Sequence, residues 1–594
     1  MAFELESTEA AAKLSSAALE NVKKWLGEPK YAEYRDELIE MIEAGRWKDL
    51  EDAFFKVIEF GTAGRRGTTG IGSNRINRVT VGESAQALCE YALQADEKAA
   101  GKGIVIACDT RLSSPELSTY VAGVCAANGF KTYIFESFRS TPELSFTVRH
   151  LGAAAGIVIS ASHNPPADNG FKAFWSDGGQ LVAPHDKGVL AAAGGSAEIK
   201  YTDYQTAVSE GKIEIISKDV DEAYIAAVVA EAESDFRDVT IVYSPLHGAG
   251  QTNTLPALKA AGFEHILVVE EQMVPDGHFP TIENNRANPE DKPANDLAVA
   301  LMLAEDADIA ITNDPDADRV GAMVRQGDEV VYLSGNQAAV LAADFVLARL
   351  KEKGELTPQH YLAKTIVTTD MLQALADHYG IKCYGNMLVG FKYIGELVTS
   401  KESTDERLVI GAEESFGLVK GEYSRDKDGA AGALPLAEYA AQLKGQGKTL
   451  QDRLCELYRE HGIYLEQLVN AVFPGADGFE RMQQVMRDLR AHAPSHIGQH
   501  KVTAVQDYQS LERLDTQTDE KTSIDCVSGN VVVLELDGDV RRRVTVRPSG
   551  TEPKLKFYVQ WYEDARDDLD AHLAHLNFQL EGLSRELEGI ALEK

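Results

Sequence analysis

The sequence predicts an α/β protein built from three related mixed α/β units followed by a smaller α+β unit with an antiparallel sheet. Three observations carry that prediction. Short β-branched runs alternate with amphipathic stretches, which is the pattern of strands joined by crossover helices. The alternation recurs three times, the mark of a repeated unit. The last part breaks the rhythm with adjacent strands and short turns.

Taken in order, residues 8–58 place Leu19, Val22, Trp25, Leu38, Met41 and Ile42 at helical spacing, and predict a helical extension over residues 1–58. The first round is the strand GIVIA (103–107), a helix from Pro115 to Asn128, TYIFE (132–136), a helix from Pro142, and AGIVIS (155–160). The second is VTIVYS (239–244), a helix near 253–261, HILVVE (265–270), a helix near 294–305 and DIAIT (308–312). The third is YLAKTIVT (361–368), a helix from Met371, and LVIGA (408–412). VVVLEL (531–536), VRRRVTV (540–546) and LKFYVQW (555–561) then precede a helical tail from Asp564. Domains are expected over residues 59–210, 211–332, 333–455 and 456–594.

Composition narrows the function. The chain of 594 residues is 44% apolar and carries 59 basic against 93 acidic side chains, a net charge of −34. Nucleic acid and anionic membrane are poor partners for such a surface. No run of about 18 apolar residues and no basic leader before an apolar stretch is present. The six cysteines have no metal-type spacing, and the expected compartment is the reducing cytoplasm.

Four loops hold chemistry. In SASHNPPADNGFKAFW, Ser162 follows the strand AGIVIS on a Pro-bounded loop, at the carboxyl end of a strand where ligands gather. A serine so presented can be a nucleophile or a phosphate carrier; a plain turn is the alternative. In Asn313-Asp314-Pro315-Asp316-Ala317-Asp318-Arg319, three carboxylates at alternate positions demand a cation, against the alternative of a solvated acidic turn. An EF-hand is excluded, because Arg319 and Arg325 stand where its Gly and Glu belong; all-oxygen ligation points to magnesium. Arg547-Pro548-Ser549-Gly550-Thr551 combines a guanidinium, two hydroxyls and an open backbone, the donor set of a phosphate site, or else forms an ordinary β-turn. Gly411-Ala412-Glu413-Glu414-Ser415-Phe416-Gly417 offers acceptors for sugar hydroxyls, or is an acidic surface loop. A fifth segment, Gly61 to Gly67, is Gly-rich and basic but lacks the Walker ending and the Rossmann spacing.

Serine, aspartate, polyol and phosphate loops in that order resemble the α-D-phosphohexomutases, from about Phe60 to Tyr558, and most closely the branch with phosphoglucomutase-2-type and phosphopentomutase enzymes. The resemblance implies four domains around a central cleft. It implies Ser162 as phosphoserine, and Asp314, Asp316 and Asp318, with the phosphate on Ser162, as ligands of Mg2+. Glu413 and Ser415 would contact the sugar, and Arg547, Ser549, Gly550 and Thr551 would grip the distal phosphate. Arg66, Lys172 and Arg319 match positions lining the reaction centre. Some members carry a His where this chain has Gly417, so the candidate bases here are Lys172, His163 and Lys427. The usual apolar residue after GTAG is Arg65, and the serine loop opens on Ser160 in place of Thr.

The implied activity interconverts glucose 1-phosphate and glucose 6-phosphate, with glucose 1,6-bisphosphate as intermediate and activator. Phosphopentose and mannose phosphate are the competing substrates, and a homodimer is a further expectation. A silent sugar-phosphate-binding regulator and an aspartate-loop phosphatase are the readings from other classes.

Overall fold

The computed structural model describes residues 12–59, 64–195, 198–473, 478–549 and 554–592. The chain divides into two compact units: Met1–Tyr332 with Gly395–Ser403 and Gly417–Glu438, and Leu333–Ile394 with Thr404–Phe416 and Tyr439–Lys594.

In the first unit, helices α1 (Ser16–Gly27), α2 (Arg35–Glu43) and α3 (Trp47–Phe54) form the extension. Ser15 caps α1, and Ala18, Val22 and Trp25 present one buried face. Trp25 stacks on Tyr31 at 4.4 Å and meets the edge of Phe54 at 5.4 Å. This core continues into Ile71 and Val79, and Lys30 pairs with Glu83 at 3.1 Å, so the extension is packed onto the first sheet domain.

That domain carries β1 (Gly64–Thr68), α4 (Arg78–Ala95), β2 (Ile104–Cys108), α5 (Ser114–Ala127), β3 (Thr132–Phe135), α6 (Thr141–Leu151), β4 (Ala155–Ile159), β5 (Asp168–Trp175) and β6 (Ile213–Ile216). The strand order is β1-β5-β4-β2-β3-β6. Every residue of β2 and β4 is buried, as a strand covered on both faces requires. Ile106, Ile157 and Phe171 fill one face, and Val105, Val158 and Phe174 the other. Truncating a side chain such as Ile157 to Ala costs about 2–5 kcal/mol.

The sheet is mixed, whereas the alternation alone reads as parallel. β5 runs antiparallel to β4, and β1 antiparallel to β5. The short serine loop can only reverse the chain, because a parallel return needs a crossover of a dozen residues or more. β6 pairs with β3, so the first sheet extends past residue 210, where the sequence reading ends the domain.

The second sheet orders β7 (Ile241–Ser244), β8 (Ile266–Val268), β9 (Ile309–Asn313), β10 (Val320–Gln326) and β11 (Glu329–Leu333) as β11-β10-β9-β7-β8. β9 and β10 are antiparallel, with Asn313 opposite Val320, so residues 314–319 form a tight connection at a strand end.

In the second unit, β12 (His360–Thr365) lies parallel to β13 (Lys382–Met387) and β14 (Arg407–Ala412). The helix Leu450–His461 starts at a Thr449 capping box and ends at Gly462, so the expected boundary at 455/456 cuts a helix. An antiparallel sheet then runs in the order β15 (Ile463–Val472), β21 (Lys554–Glu563), β20 (Asp539–Pro548), β19 (Val532–Leu536), β16 (His500–Asp507), β17 (Glu512–Asp515), β18 (Lys521–Ser523). Asp370, after β12, pairs with Lys364 at 3.0 Å and with Arg543 of β20 at 2.5 Å, joining the two sheets of this unit. Among the described residues, no helix is long and apolar enough to cross a membrane.

Candidate active site

The β4–β5 connection presents Ser162 with a left-handed backbone (φ 51°), and the backbone N–H of Ser162 donates to Ser160 Oγ at 2.8 Å. Its Oγ donates to Asp314 Oδ2 at 2.6 Å and lies 3.2 Å from His163 Nδ1. Burial, then the Arg319 and Arg66 charges, hold the His163 imidazole well below its usual range, so the ring is neutral.

Asp314, Asp316 and Asp318 are buried, with one carboxylate oxygen from each within 4.8 Å of the others. Their loop is held by local bonds: Ala317 N–H donates to Asp314 O, and Asn313 Nδ2 donates to Arg319 O. Asp316 Oδ2 accepts from Lys172 Nζ at 2.5 Å and from Thr141 Oγ1 at 2.7 Å. Asp318 Oδ2 lies 2.9 Å from Lys427 Nζ and 3.6 Å from Lys172 Nζ. The three acids are electrostatically unequal. Burial and the two neighbouring carboxylates push Asp314 well up, whereas Lys172, Thr141 and Lys427 outweigh burial at Asp316 and hold it below the carboxylate range.

The donor set fits magnesium. Three carboxylates cluster, and Oδ1 of both Asp316 and Asp318 is buried without a hydrogen-bond partner, leaving hard oxygen acceptors of the kind a magnesium ion takes.

Sheet register brings up the flanking cations. β1 pairs with β5 so that Arg66 faces Gly170 and Gly64 faces Lys172, which sets Arg66 and Lys172 on one face. Arg66 is within charge range of Asp316, Asp318 and Arg319. Its neighbour Arg65 points the other way, to Thr80 O at 2.6 Å and Glu83 at 3.0 Å.

Lys427 belongs to the segment Gly417–Glu438, which packs in the first unit. The segment is bolted down: Asp428 accepts from Tyr224 OH at 2.7 Å, Tyr423 OH at 2.6 Å and Ala430 N–H at 2.8 Å, and Asp426 accepts from Gln180. A Cβ on Gly417 would fall 2.3 Å from Lys427 Cδ. The missing side chain at 417 is therefore the space through which the lysine reaches Asp318. Gly417→Ala is expected to lower kcat about 10- to 100-fold, as misplacing a reacting group by about 1 Å does. Steady-state kinetics with a melting curve checks it: a folded variant with the parental kcat contradicts this arrangement.

In the second unit, Glu413 and Ser415 follow β14, and Arg547 sits near the end of β20. Burial, then the Glu413 carboxylate, push Glu414 up to about 7, against the pull of Lys556 and Arg547. Ser549 N–H donates to Lys554 O at 2.8 Å, closing the hairpin base. Gly550 and Thr551 lie outside the described residues, as does the Gly61–Ala63 part of the Gly-rich segment. Thus Ser162, His163, Lys172, Arg319, Lys427 and the three aspartates stand together in one unit, with Arg66 in charge range, and Glu413, Ser415, Arg547 and Ser549 belong to the other.

Sequence reading missed Thr141, which also donates its N–H to Asp316 O at 2.9 Å, and the Asp109–Arg111 pair after β2. Both follow strand ends on the side where the other loops gather, which is the signal that could have found them.

Comparison with known proteins gives one answer. Models of phosphoglucomutase/phosphomannomutase α/β/α domains I, II and III match residues 57–198, 222–327 and 334–461, and the C-terminal domain model matches 499–571. A phosphoglucomutase of Staphylococcus epidermidis is 31% identical over 86% of this chain and 92% of its own length. One from Staphylococcus saprophyticus is 34% identical over 87% of this chain and 92% of its own. In fold, the chain is similar to the open form of parafusin (phosphoglucomutase) from Paramecium, with a TM-score of 0.64 at 17% identity, over 91% of this chain and 99% of that one. A phosphoglucomutase/phosphomannomutase family protein from Burkholderia thailandensis gives 0.62 at 18% identity, over 90% and 99%.

Proposed function

Because the chain belongs to the phosphoglucomutase/phosphomannomutase family, all four of whose domains it carries in order, we propose that it interconverts glucose 1-phosphate and glucose 6-phosphate. The observation that supports this most is Ser162 Oγ bonded to a buried aspartate trio that two lysines flank. The relatives at 31–34% identity, named phosphoglucomutases, supply the choice of glucose.

The reaction requires two transfers. A sugar hydroxyl attacks the phosphorus on Ser162; the bond from phosphorus to Ser162 Oγ breaks, and the hydroxyl proton passes to a base. The resulting glucose 1,6-bisphosphate turns over and returns its other phosphoryl group to Ser162. Little covalent chemistry is asked of the protein beyond placing the serine and managing charge. In this reading Lys172, Arg66 and Arg319 offset the surplus negative charge of three carboxylates and a phosphate. In this reading the proton passes to one of Lys427, His163 and Lys172, a lysine serving only from its neutral form.

Asp314, Asp316 and Asp318, with the phosphate on Ser162, would hold a magnesium ion, which when bound supplies Lewis-acid stabilisation of the transferring phosphoryl oxygens. Glu413 and Ser415 read the sugar hydroxyls. Arg547, Ser549, Gly550 and Thr551 grip whichever phosphate is distal, since recognition must serve both orientations of the intermediate. We propose the cytoplasm as its compartment and a homodimer as its assembly.

The test is the ratio of kcat/KM for glucose 1-phosphate to those for ribose 1-phosphate and mannose 1-phosphate, with glucose 1,6-bisphosphate present. Glucose is expected to lead by about tenfold or more. A lead for ribose 1-phosphate would reassign the substrate to pentose.

A further inference from the structure

We propose that Arg111 is a positioning residue for phosphoryl transfer: its single buried guanidinium holds the backbone of the serine loop in the shape that presents Ser162. The inference rests on the mutase reading of the site and adds to it a residue that never touches substrate.

Arg111 is 1% exposed and lies in the turn after β2. Nη2 donates to the carbonyl oxygens of Ser162 and Asn164, both at 2.5 Å. Nη1 donates to those of Pro165 at 2.7 Å and Asp168 at 2.9 Å. Four carbonyls spread over seven residues thus converge on one planar fork, one of them belonging to Ser162 itself. Behind the guanidinium lies a buried ion pair, without a hydrogen bond between its two facing atoms. Asp109 Oδ2 lies 3.3 Å from Nε, and Asp109 Oδ1 accepts from the Arg111 N–H at 3.0 Å and from Ser114 Oγ at 2.6 Å. The Phe279 ring lies 5.4 Å from the guanidinium carbon.

The loop needs such a clasp. Ser162 sits at φ 51°, a left-handed conformation that costs a non-glycine residue about 1 kcal/mol or more and persists only when its surroundings impose it. Inward-turned carbonyls repel one another unless a cation gathers them. Arginine does this because its donors lie in one plane with fixed directions; a lysine, with one rotatable ammonium on a shorter reach, cannot span four acceptors. Once the loop is gathered, Oγ emerges on the side of Asp314.

Arg111→Lys separates this role from simple stability. In the proposed cycle the phosphosugar is held by other residues, so kcat is expected to fall about 100-fold while KM changes less than about threefold. Phosphorylation of Ser162 by glucose 1,6-bisphosphate should slow by the same factor in single-turnover measurements. Asp109→Asn keeps Arg111 but loosens its anchor, and is expected to show the same split with about a tenfold loss; it serves alone if the lysine variant does not fold. A kcat within threefold of the parent, or a loss carried by KM, overturns the proposal. If the parent itself turns over no phosphosugar, the mutase reading fails; an active parent with an unimpaired variant defeats only the positioning role.

Discussion

Replacing Ser162 with alanine is expected to abolish mutase turnover, lowering kcat by at least about 10,000-fold. Losing a covalent nucleophile removes the pathway itself, and the residual rate comes only from binding and electrostatics. The substitution deletes the oxygen that bonds Asp314 at 2.6 Å and little else, because the loop is held by backbone bonds to Ser160 and Arg111. KM for the phosphosugar and the melting temperature should therefore change little. A coupled assay for glucose 6-phosphate formation, run beside calorimetry, checks both. The same substitution separates the phosphatase reading, in which the aspartate loop is the nucleophile and activity survives.

The second large effect concerns the aspartates, whose unequal environments predict opposite stability changes for two equally inactivating substitutions. Asp316→Asn and Asp314→Asn should each reduce kcat about 1,000-fold, since each removes a charge from the site that stabilises the transferring group. In the metal-free protein the two should part company. Asp316 is held ionised by Lys172 and Lys427, so its amide leaves buried ammonium groups poorly paired and destabilises the fold by a few kcal/mol, on the order of other broken buried pairs. Asp314 is pushed the other way by burial and its two neighbours, so a neutral amide relieves repulsion and raises the melting temperature. Melting curves in chelator at neutral pH read the signs. Destabilisation by both, or by neither, contradicts the charge arrangement described here.

Much of the fold was legible because long-range order followed local pattern. GIVIA, AGIVIS and DIAIT are buried on both faces, which forces β-branched runs into the sequence. What pattern could not show was strand direction. The pattern assigns FKAFW no element, yet it is strand β5, reversing the sheet and carrying Lys172 to Asp316. The first domain's end at 210 fell short for the same kind of reason, whereas the end at 332 coincides with the division between the two units: β6 joins the first sheet through pairing with a strand some 80 residues earlier, which no local signal encodes.

The site divides similarly. The three aspartates announced themselves by composition, because three acids at alternate positions need explaining wherever they occur, whereas Ser162 alone reads as a plain turn and became the phosphate carrier only through the family resemblance. Lys427 was found only through family resemblance, and its place depends on an absence, the missing side chain of Gly417. Arg111 and Thr141 act through backbone carbonyls and a carboxylate supplied by distant segments. An arginine that binds main chain looks in sequence like any other arginine.

In the proposed cycle Ser162 carries a phosphoryl group that a sugar takes and returns. It is tested most directly by loading the protein with phosphate-labelled glucose 1,6-bisphosphate and following the Ser162 peptide by mass spectrometry during a chase with unlabelled glucose 1-phosphate. Label is expected on Ser162 alone, leaving into hexose bisphosphate and monophosphate at the rate of turnover. An active protein whose Ser162 never acquires label, or keeps it through many turnovers, would contradict it.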